Sequence, residues 1–204
     1  MDFKLKVLIG LYAAATVVAN ITAAKLVSCC GLLFPAGVFF VAISFLITDV
    51  ISEVWGKKDA SQAVWVGWMA AIFAAAGTAL TVFLPPAPFW KLQQAYAQLF
   101  GLVPRITLAS LITYLVSQHH DVWMFHLLKM KTGGRHLWLR NNISTMLSQA
   151  IDTVLFITLA FAFTVPWDTL LGMMLGQYVV KVILALLDTP LVYLLVIWIR
   201  GGDV

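Results

Sequence analysis

From Ala63 to Leu84 the chain runs for 22 residues without one ionisable side chain. Wound as an α-helix at about 1.5 Å per residue, such a run is roughly 33 Å long, close to the thickness of a bilayer's hydrocarbon core. A helix satisfies its own backbone donors and acceptors, which is the condition for crossing lipid. The segment is therefore expected to span a membrane.

Five further stretches have the same character: Val7 to Val27, Phe34 to Glu53, Val103 to Leu128, Trp138 to Thr164 and Leu170 to Trp198. They are separated by Gly31, by Gly56-Lys57-Lys58-Asp59, by the Pro85-Pro86-Ala87-Pro88 corner, by the loop from Lys129 to Arg135 with its Gly133-Gly134 pair, and by Pro166. These are the residues that interrupt helices. Only the third connection is long, and it holds an amphipathic stretch from Phe89 to Phe100. The expected fold is all-α: one polytopic domain over residues 1–204, with six transmembrane helices.

Composition excludes the main alternatives. Charged residues make up 11% of the chain and hydrophobic ones 62%, against roughly 25% charged in a soluble domain. A soluble enzyme, a disordered segment and a basic nucleic-acid binder are all ruled out, and the environment is a lipid bilayer. The short loops expected on one side hold Lys4, Lys6, Lys57, Lys58, Lys129, Lys131, Arg135, Arg140 and Arg200, whereas the other side holds Lys91 and Arg105. Cytoplasmic loops carry the excess of Lys and Arg, so both termini are expected to be cytoplasmic. The basic start followed by Leu26-Val27-Ser28-Cys29 is reminiscent of a lipoprotein signal, but the apolar run is too long and Lys25 interrupts it. Cys29 and Cys30 are adjacent and build no disulfide framework.

Function is sought where polarity is out of place. An ionisable group at bilayer depth is costly and usually faces a pathway or site. Lys25, Asp49, Asp121, Asp152, Lys181 and Asp188 are expected at depth, with Glu53 and Arg140 near the cytoplasmic boundary. Helical spacing gathers them into seams: Tyr12, Thr16 and Asn20; Asp49, Ser52 and Glu53; Ser110, Thr113, Ser117 and Asp121; Asn142, Thr145, Gln149 and Asp152; Gln177, Lys181 and Asp188. Five seams turned inward would enclose a polar chamber. The Ala63 to Leu84 span instead offers Gly67, Ala70, Ala71, Ala74 and Gly77 for close packing.

Each seam also has a plainer reading. Membrane serines and threonines often bond their own helix, amides bridge helices, and Lys181 could form a structural ion pair with Asp152 or Asp188. His119, His120 and His126 are expected at an interface rather than on a metal, because adjacent histidines point about 100° apart. No phosphate-binding glycine loop and no Gly-x-Ser-x-Gly elbow is present, so neither ATP hydrolysis nor serine catalysis is expected, and no cofactor is implied.

Several motifs resemble those of a known family. They are Ile47-Thr48-Asp49-Val50 with Glu53-Val54-Trp55-Gly56-Lys57-Lys58; Lys131-Thr132-Gly133-Gly134-Arg135-His136-Leu137-Trp138-Leu139-Arg140-Asn141-Asn142; Ser148-Gln149-Ala150-Ile151-Asp152-Thr153; and Lys181 with Thr189-Pro190 and Tyr193. In this order they resemble the queuosine precursor transporter family, from about the second span to the sixth. Tyrosine is commoner in that pattern where Trp55 stands.

The resemblance implies a multi-pass inner-membrane importer, not an enzyme, whose substrate is a deazaguanine used in tRNA modification. Such a base presents a ring N–H beside an exocyclic amine, which match a carboxylate, and a carbonyl that needs a donor. Asp152 or Asp49 is then expected to grip the donor edge, with Gln149, Asn142 and Lys181 completing the ring of polar contacts and Glu53, Asp121 and Asp188 as further candidates. A capture subunit served by a separate ATPase would have a similar chain. Homodimerisation is left open.

Overall fold

The computed structural model describes residues 2–131 and 137–200, apart from some side chains between residues 118 and 145 and those of residues 188, 189 and 200. Within these limits the chain forms α1 (Phe3–Thr22), β1 (Leu26–Cys29), β2 (Leu32–Pro35), α2 (Val38–Val54), α3 (Lys57–Phe83), α4 (Gln93–Phe100), α5 (Val103–Lys131), α6 (Leu137–Phe161) and α7 (Trp167–Arg200). The expected loop from Lys129 to Arg135, with Gly133-Gly134, falls largely outside the described residues.

Local chemistry sets the ends of these elements. Asp2 caps α1 by accepting from the Lys4 backbone N–H at 3.2 Å. Gly56, at φ 95, makes the sharp corner between α2 and α3 that a side chain would strain. Leu84 is extended because a proline follows it, and this ends α3. Arg105, in the first turn of α5, donates from Nε to the Leu159 carbonyl at 2.8 Å and from Nη2 to the Ala162 carbonyl at 2.7 Å. It thereby satisfies acceptors that α6 leaves open at its C-terminus.

The long helices form a closed ring in the order α1, α3, α5, α6, α7, α2, each packed against the next. Small residues permit the α1–α3 approach. Ala63, Gly67, Ala71 and Ala75, four apart, form the buried stripe of α3, and a Cβ on Gly67 would collide with the Tyr12 ring. Ala70 and Ala74 are half-buried and Gly77 is exposed, so the close-packing face is narrower than the sequence suggested. Outside the ring, Trp65, Met69, Phe73 and Phe83 are exposed, as a lipid-facing surface requires.

The expected boundaries need correction at the first connection, and the fold is not purely α. The first helix stops at Thr22 and the second starts at Val38, and between them Leu26–Cys29 pairs antiparallel with Leu32–Pro35. The turn residues Cys30 and Gly31 have φ 51 and φ 78, the left-handed pair that a two-residue hairpin turn demands. An isolated two-stranded hairpin is marginal in water. This one is held because Phe34, Val38 and Val180 form a buried cluster, and because Leu33 lies on Gly176 of α7, where an added Cβ would stand 2.8 Å from the Leu33 nitrogen. Lys25 consequently sits in an exposed bend that leads into β1, not within a helix.

Among the described residues, four segments are long and apolar enough to cross a membrane: Phe3–Thr22, Lys57–Phe83, Gln93–Ser117 and Trp167–Leu187. The α2 helix has 17 residues, and the apolar part of α6, Met146–Phe161, is also short.

Candidate functional site

The ring encloses a cavity of about 110 Å³, well beyond the roughly 10–15 Å³ that one water needs. It lies between two apolar clusters. One joins Ile106, Ile157, Leu170 and Met173 at the hairpin end, and the other joins Leu5, Ile9, Ile47 and Ile51 near the chain termini.

Each helix of the ring contributes to the wall. From α1 come Tyr12, Thr16 and Asn20, the seam that helical spacing singled out. Ser110 and Thr113 come from α5, Asp152 from α6, and Gln177 with Lys181 from α7. The aromatic part of the wall is Phe45, Trp68, Tyr114 and Phe156, with the Trp68 and Tyr114 rings edge-to-face at 5.1 Å. Such a chamber has polar groups at defined points and flat apolar faces elsewhere.

Its charge centre is an ion pair. Lys181 Nζ donates to Asp152 Oδ2, and Ser117 donates to Asp152 Oδ1 at 3.3 Å. The lysine side chain is 10% exposed and the aspartate 24%, so the pair is shielded from bulk water. A carboxylate has about four lone-pair positions, so Asp152 keeps acceptor capacity beyond these two bonds. Asn20 is tied to its own helix through a 3.0 Å bond from Nδ2 to the Thr16 carbonyl.

The expected site residues separate into two groups. Asp152 and Lys181 meet at the cavity. Gln149 lies close by along α6, but it does not line the cavity, and its Oε1 is buried with no partner. Asp49 is one helical turn beyond Phe45, and Glu53 one turn further; both are exposed, neither lacks a partner, and neither lines the cavity. The face that α2 turns to the cavity carries Val41, Ser44 and Phe45 instead. Asp121, Asn142 and Asp188 belong to α5, α6 and α7, and their side chains lie outside the described residues, as does that of Arg140.

Two of the α5 histidines are placed, and the His126 side chain lies outside the described residues. His119 Nδ1 is 2.7 Å from the Leu115 carbonyl, and His120 Nδ1 is 3.0 Å from Ser148 Oγ. Ser117, which a hydrolytic reading would pair with a histidine, is bonded to Asp152 instead. Among the described residues no group of three or more His, Cys, Asp or Glu side chains could hold a metal.

Two features were under-read in the sequence. The aromatic wall has no periodic signature in a chain where 13% of residues are aromatic, and Gln177, although on a seam, is uncharged and carries no mark in the sequence that sets it apart from the other seam residues.

Comparison with known proteins places these features in context. A family model described as "Putative vitamin uptake transporter" matches residues 35–195. A protein of Bacillus subtilis (strain 168), named "Probable queuosine precursor transporter", is 33% identical over 180 residues, covering 88% of this chain and 79% of that one. No solved structure matches.

Proposed function

The chain belongs to the vitamin uptake transporter family, and from that premise we propose that it imports a deazaguanine precursor of queuosine across the inner membrane. The Asp152–Lys181 pair facing a chamber walled by aromatic rings carries this reading. A carboxylate held among donors suits the ring N–H and amine of such a base, and the rings suit its flat faces, at about 1–3 kcal/mol per stacked ring.

In this reading α1, α2, α3, α5, α6 and α7 make six crossings of a single domain, with both termini in the cytoplasm. The ligand is received at the Asp152–Lys181 centre. Asp49, Glu53, Asp121, Asn142, Gln149 and Asp188 stand along the cytoplasmic half of the route, towards the chain termini. The bundle transports a small molecule and is not an enzyme.

Uptake of radiolabelled 7-cyano-7-deazaguanine into cells lacking their own importer tests the proposal. Expression of the wild type is expected to restore uptake, and Asp152→Asn is expected to abolish it. No uptake by the wild type would overturn the substrate. Full uptake by both Asp152→Asn and Asp49→Asn, at matched expression, would remove these carboxylates from the mechanism.

A further inference from the structure

Two residues of the cavity wall carry buried polar atoms that no described group bonds. Gln177 is 4% exposed and Thr113 is 1% exposed, and neither Gln177 Oε1 nor Thr113 Oγ1 has a hydrogen-bond partner. A buried acceptor left unmade is a standing penalty, and low-dielectric surroundings increase it. Natural sequences retain such groups mainly where something else completes them.

The contrast with the rest of the chain is informative. Thr16, Thr22, Thr48, Thr78, Thr153 and Thr158 all donate to a carbonyl one turn back in their own helices. Thr113 does not, although the same option exists on any helix. The other orphaned atoms, Thr107 Oγ1 and Gln149 Oε1, belong to residues that do not line the cavity. Of the described residues that carry such orphaned buried atoms, Gln177 and Thr113 are the two that line the chamber.

Gln177 is also held in register. Its neighbour Gly176 lies directly on the Leu33 backbone, so the hairpin fixes how α7 is rotated and which residue it presents to the chamber. One turn along α7, Lys181 is already committed to Asp152.

Resting on the transport reading above, we propose that Gln177, assisted by Thr113, is the specificity-determining contact for the donor edge of the imported base. The Gln177 amide oxygen accepts from an edge N–H of a neutral, planar, guanine-like heterocycle, and the Thr113 hydroxyl supplies a second polar contact. The Asp152–Lys181 pair gives the chamber its dipole without net charge. Discrimination between related bases then resides in an uncharged amide on α7 rather than in a carboxylate alone.

The test uses purified full-length protein and three probes: 7-cyano-7-deazaguanine, its analogue with the exocyclic amine replaced by hydrogen, and its analogue with the ring carbonyl replaced by hydrogen, which also loses the ring N–H. The wild type is expected to bind at least one analogue about 10-fold or more weakly than the parent, since sites built to bond an N–H reject ligands lacking it. In Gln177→Met that penalty is expected to fall below about 3-fold, with weaker binding of the parent. Thr113→Val is expected to change parent binding in the same direction. Because no described group bonds the amide oxygen, Gln177→Met should keep or raise the unliganded Tm.

Equal analogue penalties in the wild type and Gln177→Met would overturn the inference while leaving transport intact. So would a fall in the unliganded Tm of Gln177→Met or its failure to fold, since either would show a structural partner for the amide. If the wild type binds none of the probes, the transport reading itself fails and takes this inference with it.

Discussion

The ε-ammonium of Lys4 donates to the carbonyl oxygen of Ile199 at 2.9 Å, joining the first turn of α1 to the last turn of α7. The contact places a cation at a helix C-terminus, where the helix dipole favours it, and the Trp198 ring lies 6.0 Å from the same ammonium. It also brings both ends of the chain to one end of the ring. The six crossings proposed above require the first and last helices to start and end on the same side of the bilayer.

Topology is therefore the first prediction. Compartment-sensitive reporters fused separately to the N- and C-termini should both report cytoplasm, in line with the concentration of Lys and Arg near those ends. Reporters that disagree between the two termini would rule out an even number of spans. Agreement on the outer side would invert the proposed direction of the route.

By sequence Arg105 is one of few cations expected on the outer side, and in the structure its guanidinium closes a helix end. Its two bonds to the Leu159 and Ala162 carbonyls close the C-terminus of α6. Hydrogen bonds from a charged donor contribute about 1.5–3 kcal/mol when buried, and this side chain is half-exposed, so Arg105→Met should cost about 1–2 kcal/mol. At 2–4 °C per kcal/mol, a Tm drop of roughly 2–8 °C is expected in thermal unfolding of the purified protein. An unchanged Tm would mean that water caps these carbonyls equally well.

The hairpin turn allows a pH-resolved test. Cys29 and Cys30 are exposed with their sulfurs 3.8 Å apart, and the hydrogen bond with Cys30 pushes the Cys29 thiol above its ordinary range. Thiolate is the reactive form, so raising this pKa lowers reactivity at a given pH. Cys30→Ala should therefore accelerate alkylation of Cys29 by a membrane-impermeant maleimide near neutral pH, and the gain should fade as pH rises and both forms ionise. Labelling should occur from outside intact cells. A rate unaffected by Cys30→Ala would show that the neighbouring sulfur does not set this reactivity.

What the sequence made legible, and what it did not, follows from the range of the forces involved. The seams of Tyr12, Thr16 and Asn20, of Ser110 and Thr113, and of Gln177 and Lys181 could be read because helical periodicity is local, and they do reach one cavity. The Asp49, Ser52 and Glu53 stripe is equally regular, yet α2 turns Val41, Ser44 and Phe45 to the cavity. Spacing identifies a stripe but not the neighbour it faces, and only packing against α1 and α7 decides that. The hairpin was hidden for a related reason. Leu26–Cys29 and Leu32–Pro35 are nearly as apolar as the helices beside them, and they become strands because Leu33 and Phe34 find Gly176 and Val180 far along the chain. Gly31 marked the interruption, and its neighbour Cys30, whose positive φ completes the turn, carried no such signal.

The Asp152–Lys181 pair can be either a structural clamp or the receiving centre for the ligand, and a double-mutant cycle separates the two. Removing one partner of a fully buried pair costs about 3–5 kcal/mol, whereas replacing both can be neutral. Here the aspartate side chain is 24% exposed, so about 1–3 kcal/mol is expected for Lys181→Met or Asp152→Leu alone. The double variant should recover much of that loss, because no uncompensated charge remains. If the pair were only a clamp, transport would recover along with stability. If Asp152 receives the base, the double variant should be stable and still transport at less than about a tenth of the wild-type rate, one such contact being worth a tenfold change or more at about 1.4 kcal/mol. Uptake per folded molecule, measured beside Tm for all four proteins, gives the answer. A stable double variant with wild-type uptake would assign the pair to folding and move recognition to the other polar groups of the chamber.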